Sequence, residues 1–127
     1  MKFHHVALPV KNFDEVVAFY REGLGLKEYV AFDLDDGARG IMLELDGGGC
    51  IEIFDNGSGE PEVNALWAHF CIAVDDFDAA YNKALKLGAM SRMEPKSLVI
   101  EGTKTLHVRI GFVYGLAGEV IEFFKEG

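Results

Sequence analysis

The sequence contains no apolar run approaching the ~20 residues that a membrane span requires, and residues 1–10 lack the basic region and hydrophobic stretch of a signal peptide. No membrane association and a cytoplasmic location are therefore expected. Cysteine is scarce. Cys50 and Cys71 each sit in an apolar, strand-like run without CxxC spacing, which argues against a disulfide or a zinc pair. Both read as small buried side chains. Positive charge is also in short supply: twelve Lys and Arg against twenty-one Asp and Glu leave a formal net charge of −9. That balance disfavours nonspecific affinity for nucleic acid and anionic membranes. Small-molecule or protein partners remain.

What is present is the composition of a folded globular protein. Hydrophobic residues make up 50% and charged residues 26% of 127 positions, a length that suits one domain with its own core. The most informative pattern is an internal repeat, seen when the sequence is slid against itself by 64 positions. His5-Val6-Ala7-Leu8-Pro9-Val10 then lies over His69-Phe70-Cys71-Ile72-Ala73-Val74, and Asn12-Phe13-Asp14 over Asp76-Phe77-Asp78. Leu24-Gly25 matches Gly88-Ala89, where a helix should end in each copy.

Each copy predicts the order βαβββ. In the first, Phe13, Val16, Val17, Tyr20 and Leu24 recur at helical spacing, Asn12 and Glu15 suit a capping box, and Gly23 with Gly25 ends the helix. Strands are expected over residues 27–35, 41–46 and 50–55, with Asp36-Gly37 and Asp46-Gly47 as turns. In the second, a helix is expected over residues 76–87 with Phe77, Ala80, Tyr81, Ala84 and Leu87 on its buried side. Strands follow over residues 90–94, 105–114 and 119–125, separated by a polar stretch at 96–104 and a turn at 115–118. The turn-rich residues 56–61 connect the halves. The expectation is a single domain over residues 1–127, with one module at about 1–57 and the other at about 66–127.

Alternation along the strands then indicates where polar side chains point, because residues two apart share a face. Val6, Leu8 and Val10 form the row that packs under the helix, so His5 projects to the other face beside the compact Ala7 and Pro9. His69 repeats this beside Cys71 and Ala73. In the last strand of each half, Glu52 lies between Ile51 and Ile53, and Glu122 between Ile121 and Phe123. Each carboxylate thus opposes an apolar row. A carboxylate withdrawn from water without a partner is costly, whereas imidazole nitrogens and carboxylate oxygens around one cation satisfy each other. A lone strand histidine is more often a hydrogen-bonded core group, and a lone strand glutamate is usually solvated. One histidine and one glutamate at matching places in both copies make His5, Glu52, His69 and Glu122 the candidate metal ligands. His4, on the helix-facing side of its strand, and His107, without a counterpart, are not.

The chain resembles the vicinal-oxygen-chelate superfamily, which includes glyoxalase I, methylmalonyl-CoA epimerase, extradiol dioxygenases, fosfomycin-resistance transferases and bleomycin-binding proteins. The resemblance covers almost the whole chain. It rests on the two His-containing strands, Phe19-Tyr20 with Leu24-Gly25-Leu26, Ile51-Glu52-Ile53 and Val120-Ile121-Glu122-Phe123. It implies an α+β fold in which two βαβββ modules form an open, barrel-like mixed β-sheet around a metal site. A His, Glu, His, Glu set is similar to that of glyoxalase I. It implies a divalent nickel, cobalt, zinc or manganese ion and isomerisation of a 2-oxoaldehyde–thiol hemithioacetal to a 2-hydroxyacyl thioester. Glu122 would be the leading base, with Glu52 as its partner. Asn56 stands four residues after Glu52, as does a thiol-substrate-binding asparagine in glyoxalase I, whereas Pro9 occupies the position of a substrate-contacting arginine. Tyr114-Gly115-Leu116-Ala117-Gly118 replaces the Asp-Pro-Asp-Gly type of turn. Lys96, Lys104 and Arg109 are candidates for contacting an anionic substrate. The alternatives are an acyl-CoA epimerase, a thiol transferase, or a protein that sequesters a small molecule. A homodimer is expected, with the ligands drawn from one chain or shared between two.

Overall fold

In the computed structural model of the protein, the described residues are 3–59, 69–101 and 103–127. The chain divides into two compact units, Met1–Glu60 and Pro61–Gly127, and each repeats the order βαβββ. The expected start of a second module near residue 66 lies outside the described residues. No helix among them is long and apolar enough to cross a membrane.

In the first unit the strands are β1 (His5–Pro9), β2 (Lys27–Asp33), β3 (Arg39–Glu44) and β4 (Cys50–Phe54), with helix α1 (Phe13–Ala18) after β1. They form a four-stranded sheet in the order β1-β4-β3-β2. β1 runs parallel to β4, and the other two pairings are antiparallel. Placing the first and last strands side by side is the step that matters for function, because the register sets Ala7 opposite Glu52 and His5 opposite Cys50. The helix side carries the core, including Val10, Val16, Tyr20, Leu43, Ile51 and Ile53, each no more than 1% exposed.

The second unit contains β5 (Phe70–Ala73), α2 (Phe77–Lys86), β6 (Met90–Glu101), β7 (Thr105–Tyr114) and β8 (Val120–Glu126). Its sheet order is β5-β8-β7-β6, with β5 parallel to β8. Ile121, Phe123, Val113 and Tyr81 are fully buried. Gly111 lets the helix approach, since a Cβ there would sit 3.1 Å from the Tyr81 ring and 3.2 Å from that of Phe77. The fold is therefore α+β, built of two βαβββ modules whose mixed sheets are four-stranded and do not close into a barrel.

Three local expectations are corrected. The first helix is not one regular helix: α1 ends at Ala18 and a π-helical turn, Phe19–Gly23, follows, with the Leu24 N–H donating to the Phe19 carbonyl. Two consecutive aromatics, Phe19 and Tyr20, are both buried at this turn; π-helical turns of this kind interrupt α-helices where the regular pitch gives way. Asn12 makes no side-chain capping bond, whereas Asp76 accepts from the Ala79 N–H at the start of α2. The polar stretch at 96–104 is mostly strand, because β6 continues to Glu101. There Leu98, Val99 and Ile100 pair with Val108, His107 and Leu106, an apolar run with two β-branched residues that overrides the polar flanks.

Candidate metal centre

Strand burial alternates as the side-chain pattern requires. His5, Ala7 and Pro9 are exposed while Val6 and Leu8 are partly covered, and His69, Cys71 and Ala73 are exposed while Ile72 is buried. Each histidine thus leaves the helix side free, and the parallel partner strand delivers a glutamate to it. In the first unit the His5 Nε2 lies 3.5 Å from a Glu52 carboxylate oxygen. In the second the His69 Nε2 lies 2.9 Å from Glu122.

Those separations suit two donors of one ion. Ligands held at roughly 2.1 Å from a divalent metal are about 3.0 Å apart at a right angle and about 3.4 Å apart at the tetrahedral angle. At 3.5 Å the His5–Glu52 contact is longer than a good hydrogen bond, and Glu52 is only 7% exposed. It is the one charged residue buried among those described. A withdrawn carboxylate with a nearby imidazole, rather than a direct hydrogen bond, is the chemistry that a cation would complete. Each pair holds two donors, and no group of three or more His, Cys, Asp or Glu side chains placed to hold a metal occurs among the described residues.

The surroundings of the pairs differ. The His5 Nδ1 meets the His4 Nδ1 at 2.8 Å. His4 is exposed and precedes β1, and its carbonyl accepts from the Cys50 N–H. An imidazole that uses Nδ1 in this way has Nε2 left for ligation. The His69 ring packs edge-on against Phe112 at 5.1 Å, and Phe112 is the antiparallel partner of Glu122. Cys71, the parallel partner of Glu122, is exposed rather than buried. Its thiol is nevertheless pushed up to about 12, by desolvation first and then by the charge and hydrogen bonding of Glu122. Cys50 is buried, and burial followed by the charges of Glu44 and Glu52 raises its pKa. Both shifts favour the neutral thiol over the thiolate.

Other candidates are placed elsewhere. Asn56 is exposed beyond the end of β4, where the neighbouring Gly57 N–H donates to the Val10 carbonyl; His5 stands at the opposite end of β1. Arg109 donates to Asp78 at 2.9 Å and to Ser97 at 3.3 Å, and its guanidinium lies 5.3 Å from the Phe77 ring on the helix side. Arg39 repeats this in the first unit with Asp55, Asp14 and Phe13. These arginines fasten each helix to its sheet. Lys96 is exposed on β6 opposite Ile110.

Residues 2–123 match the profile of the glyoxalase/bleomycin resistance protein/dioxygenase superfamily. No curated protein matches the sequence significantly. Solved structures similar to the chain include a glyoxalase family protein from Enterococcus faecalis, at 22% identity and a TM-score of 0.73, covering 97% of this chain and 96% of that one. The trypanothione-dependent glyoxalase I of Leishmania major is 20% identical with a TM-score of 0.75, covering 98% of this chain and 86% of that one. A glyoxalase I mutant from Zea mays is 20% identical with a TM-score of 0.78, covering 97% of this chain and 44% of that longer one. At these identities the likeness is one of fold.

Proposed function

Because the chain belongs to the glyoxalase/bleomycin resistance protein/dioxygenase superfamily, we propose that its two His–Glu pairs are the ligands of a divalent metal in a glyoxalase I-like lyase. The ligand set is His5, Glu52, His69 and Glu122, and the ion is nickel, cobalt, zinc or manganese. The observation that carries this reading is the recurrence, in both units, of an imidazole Nε2 at 2.9 to 3.5 Å from a strand carboxylate. The substrate is the hemithioacetal of a 2-oxoaldehyde and a thiol. The active form is a cytoplasmic homodimer.

The ion, when bound, stabilises the negative charge that develops on the substrate oxygens. The Glu122 carboxylate removes the proton from the carbon bearing sulfur, and the electron pair moves toward the neighbouring carbonyl to give an enediolate. The same carboxylate returns a proton to that neighbouring carbon, and the proton of the hydroxyl on the sulfur-bearing carbon passes to the neighbouring oxygen, so the thioester forms without an external oxidant or reductant. Glu52 acts as the partner carboxylate across the substrate. Asn56 is assigned to the thiol portion of the substrate.

Metal-loaded protein incubated with methylglyoxal and a thiol should form thioester, and removal of the metal should stop it. Exchange of the α proton of an acyl thioester in deuterated water, without thioester formation from the hemithioacetal, would instead mark an epimerase. Neither reaction, with retained ligand binding, would mark a sequestering protein.

A further inference from the structure

The protein has four arginines, and three of them have acidic partners. Arg21 pairs with Glu28, Arg39 with Asp14 and Asp55, and Arg109 with Asp78. Arg92 is exposed, and no acidic side chain among the described residues pairs with it. Its guanidinium lies instead 5.7 Å from the centre of the Phe112 ring and 6.0 Å from that of Tyr114. In a chain carrying a net charge of −9, a cation held by rings rather than by carboxylates keeps its N–H donors available.

The backbone accounts for where it points. Ser91 pairs with Val113 and Met93 with Phe112, so the register slips by one residue and Arg92 is the extra residue of a β-bulge. Ser91 is held toward the helix by a 2.6 Å hydrogen bond to the Tyr81 hydroxyl. The bulge turns the next side chain onto the face of Phe112, and that is the ring against which His69 packs, in the strand position opposite Glu122. The first unit contains the same device. There the slip falls between Glu28 and Val30, Val30 pairs with Met42, and Met42 is opposite Glu52. The residue in the bulge is Tyr29, which is 60% exposed. Two bulges at equivalent register positions thus carry different residues, Tyr29 and Arg92.

We propose that Arg92 is a specificity-determining residue that binds an anionic oxygen group, carboxylate or phosphate, carried by the small molecule taken at the His69–Glu122 pair. The inference deepens the glyoxalase-like reading by giving the substrate a negative charge. Its test does not depend on turnover. Titration calorimetry on the metal-treated full chain would compare S-methylglutathione with its dimethyl ester for the carboxylate source. S-methyl-coenzyme A and S-methylpantetheine provide the same comparison for the phosphate source.

The wild type should bind the charged member of one pair about tenfold or more tighter than the neutral one. Arg92→Ala should erase that preference, and Arg92→Lys should keep part of it. Thermal midpoints should be the same for all three proteins, since the side chain is exposed. A preference of unchanged size in Arg92→Ala, or no charge preference in the wild type for either pair, would overturn the inference. Loss of metal binding or of isomerase activity with the charge preference intact would overturn the catalytic reading alone.

Discussion

The carboxylate of Glu52 lies 3.5 Å from the Nε2 of His5 with its side chain almost wholly withdrawn from solvent. Sheet pairing enforces this relationship. β4 lies between β1 and β3, so a side chain at its centre has a strand on either side, and Glu52 is opposite Ala7 and Met42. A polar residue so placed reduces stability unless something binds it.

Replacing Glu52 should therefore separate stability from binding. Glu52→Leu suits the apolar strand partners Ala7 and Met42. The metal-free variant should be as stable as the wild type or more stable by about 1 kcal/mol. It should also lose the stabilisation produced by added divalent metal. Urea unfolding with and without metal measures both quantities, and a large loss of metal-free stability would show that Glu52 has a structural partner.

Glu122→Gln keeps the shape of the side chain and removes its ability to accept a proton as a carboxylate. Thioester formation should fall by at least about a hundredfold, while binding of a substrate analogue changes by less than about tenfold. Steady-state kinetics with parallel calorimetry distinguishes the two. Equal losses in both would make Glu122 a binding residue and not the base.

The Arg39 guanidinium, first by hydrogen bonding, holds the Asp55 carboxyl below its ordinary value. A carboxylate lowered in the folded state adds stability above the unfolded value and loses it as pH falls through the folded one. Thermal midpoints of the wild type should decline as pH falls below about 4, and Asp55→Asn should flatten part of that decline. The two curves should stay parallel between pH 5 and pH 8, where Asp55 is ionised in the folded and the unfolded state alike.

Tyr81 is 1% exposed and its hydroxyl reaches both Ser91 and the Met93 carbonyl. Tyr81→Phe should cost about 1 kcal/mol in chemical unfolding. If the hydroxyl also anchors the bulge, the amide signals of residues 91–93 should shift in NMR spectra, and signals of β1–β4 should not.

Much of this was legible in the sequence because both units begin alike. His5 and His69 are 64 positions apart, and strand alternation was enough to put each on the face away from the helix. The last strands were harder to register, since Glu52 and Glu122 are 70 positions apart. The difference lies in the long β6–β7 hairpin, whose polar residues read as a connection although Leu98, Val99 and Ile100 carry the pairing.

Arg92 was not legible. Period-two alternation assumes an unbroken ladder, and a bulge adds one residue that the pattern assigns to the wrong face. Arg109, by contrast, read as a substrate contact only because its partner Asp78 is distant in sequence and close in the fold. Cys71 read as buried from its apolar neighbours, yet it stands on the exposed side of an edge strand. The turn after α1 was hidden for a similar reason: helical spacing fits Phe13 to Tyr20, and the switch to π geometry leaves no mark in residue type.

Metal content tests the central claim most directly. Protein freed of metal and reconstituted with nickel, cobalt, zinc or manganese should retain one equivalent per His5–Glu52–His69–Glu122 set after dialysis. Its thermal midpoint should rise on the order of 10 °C at metal concentrations a hundredfold above the dissociation constant. His5→Ala and His69→Ala should each abolish retention. Absence of stoichiometric metal together with an unchanged midpoint would contradict the account.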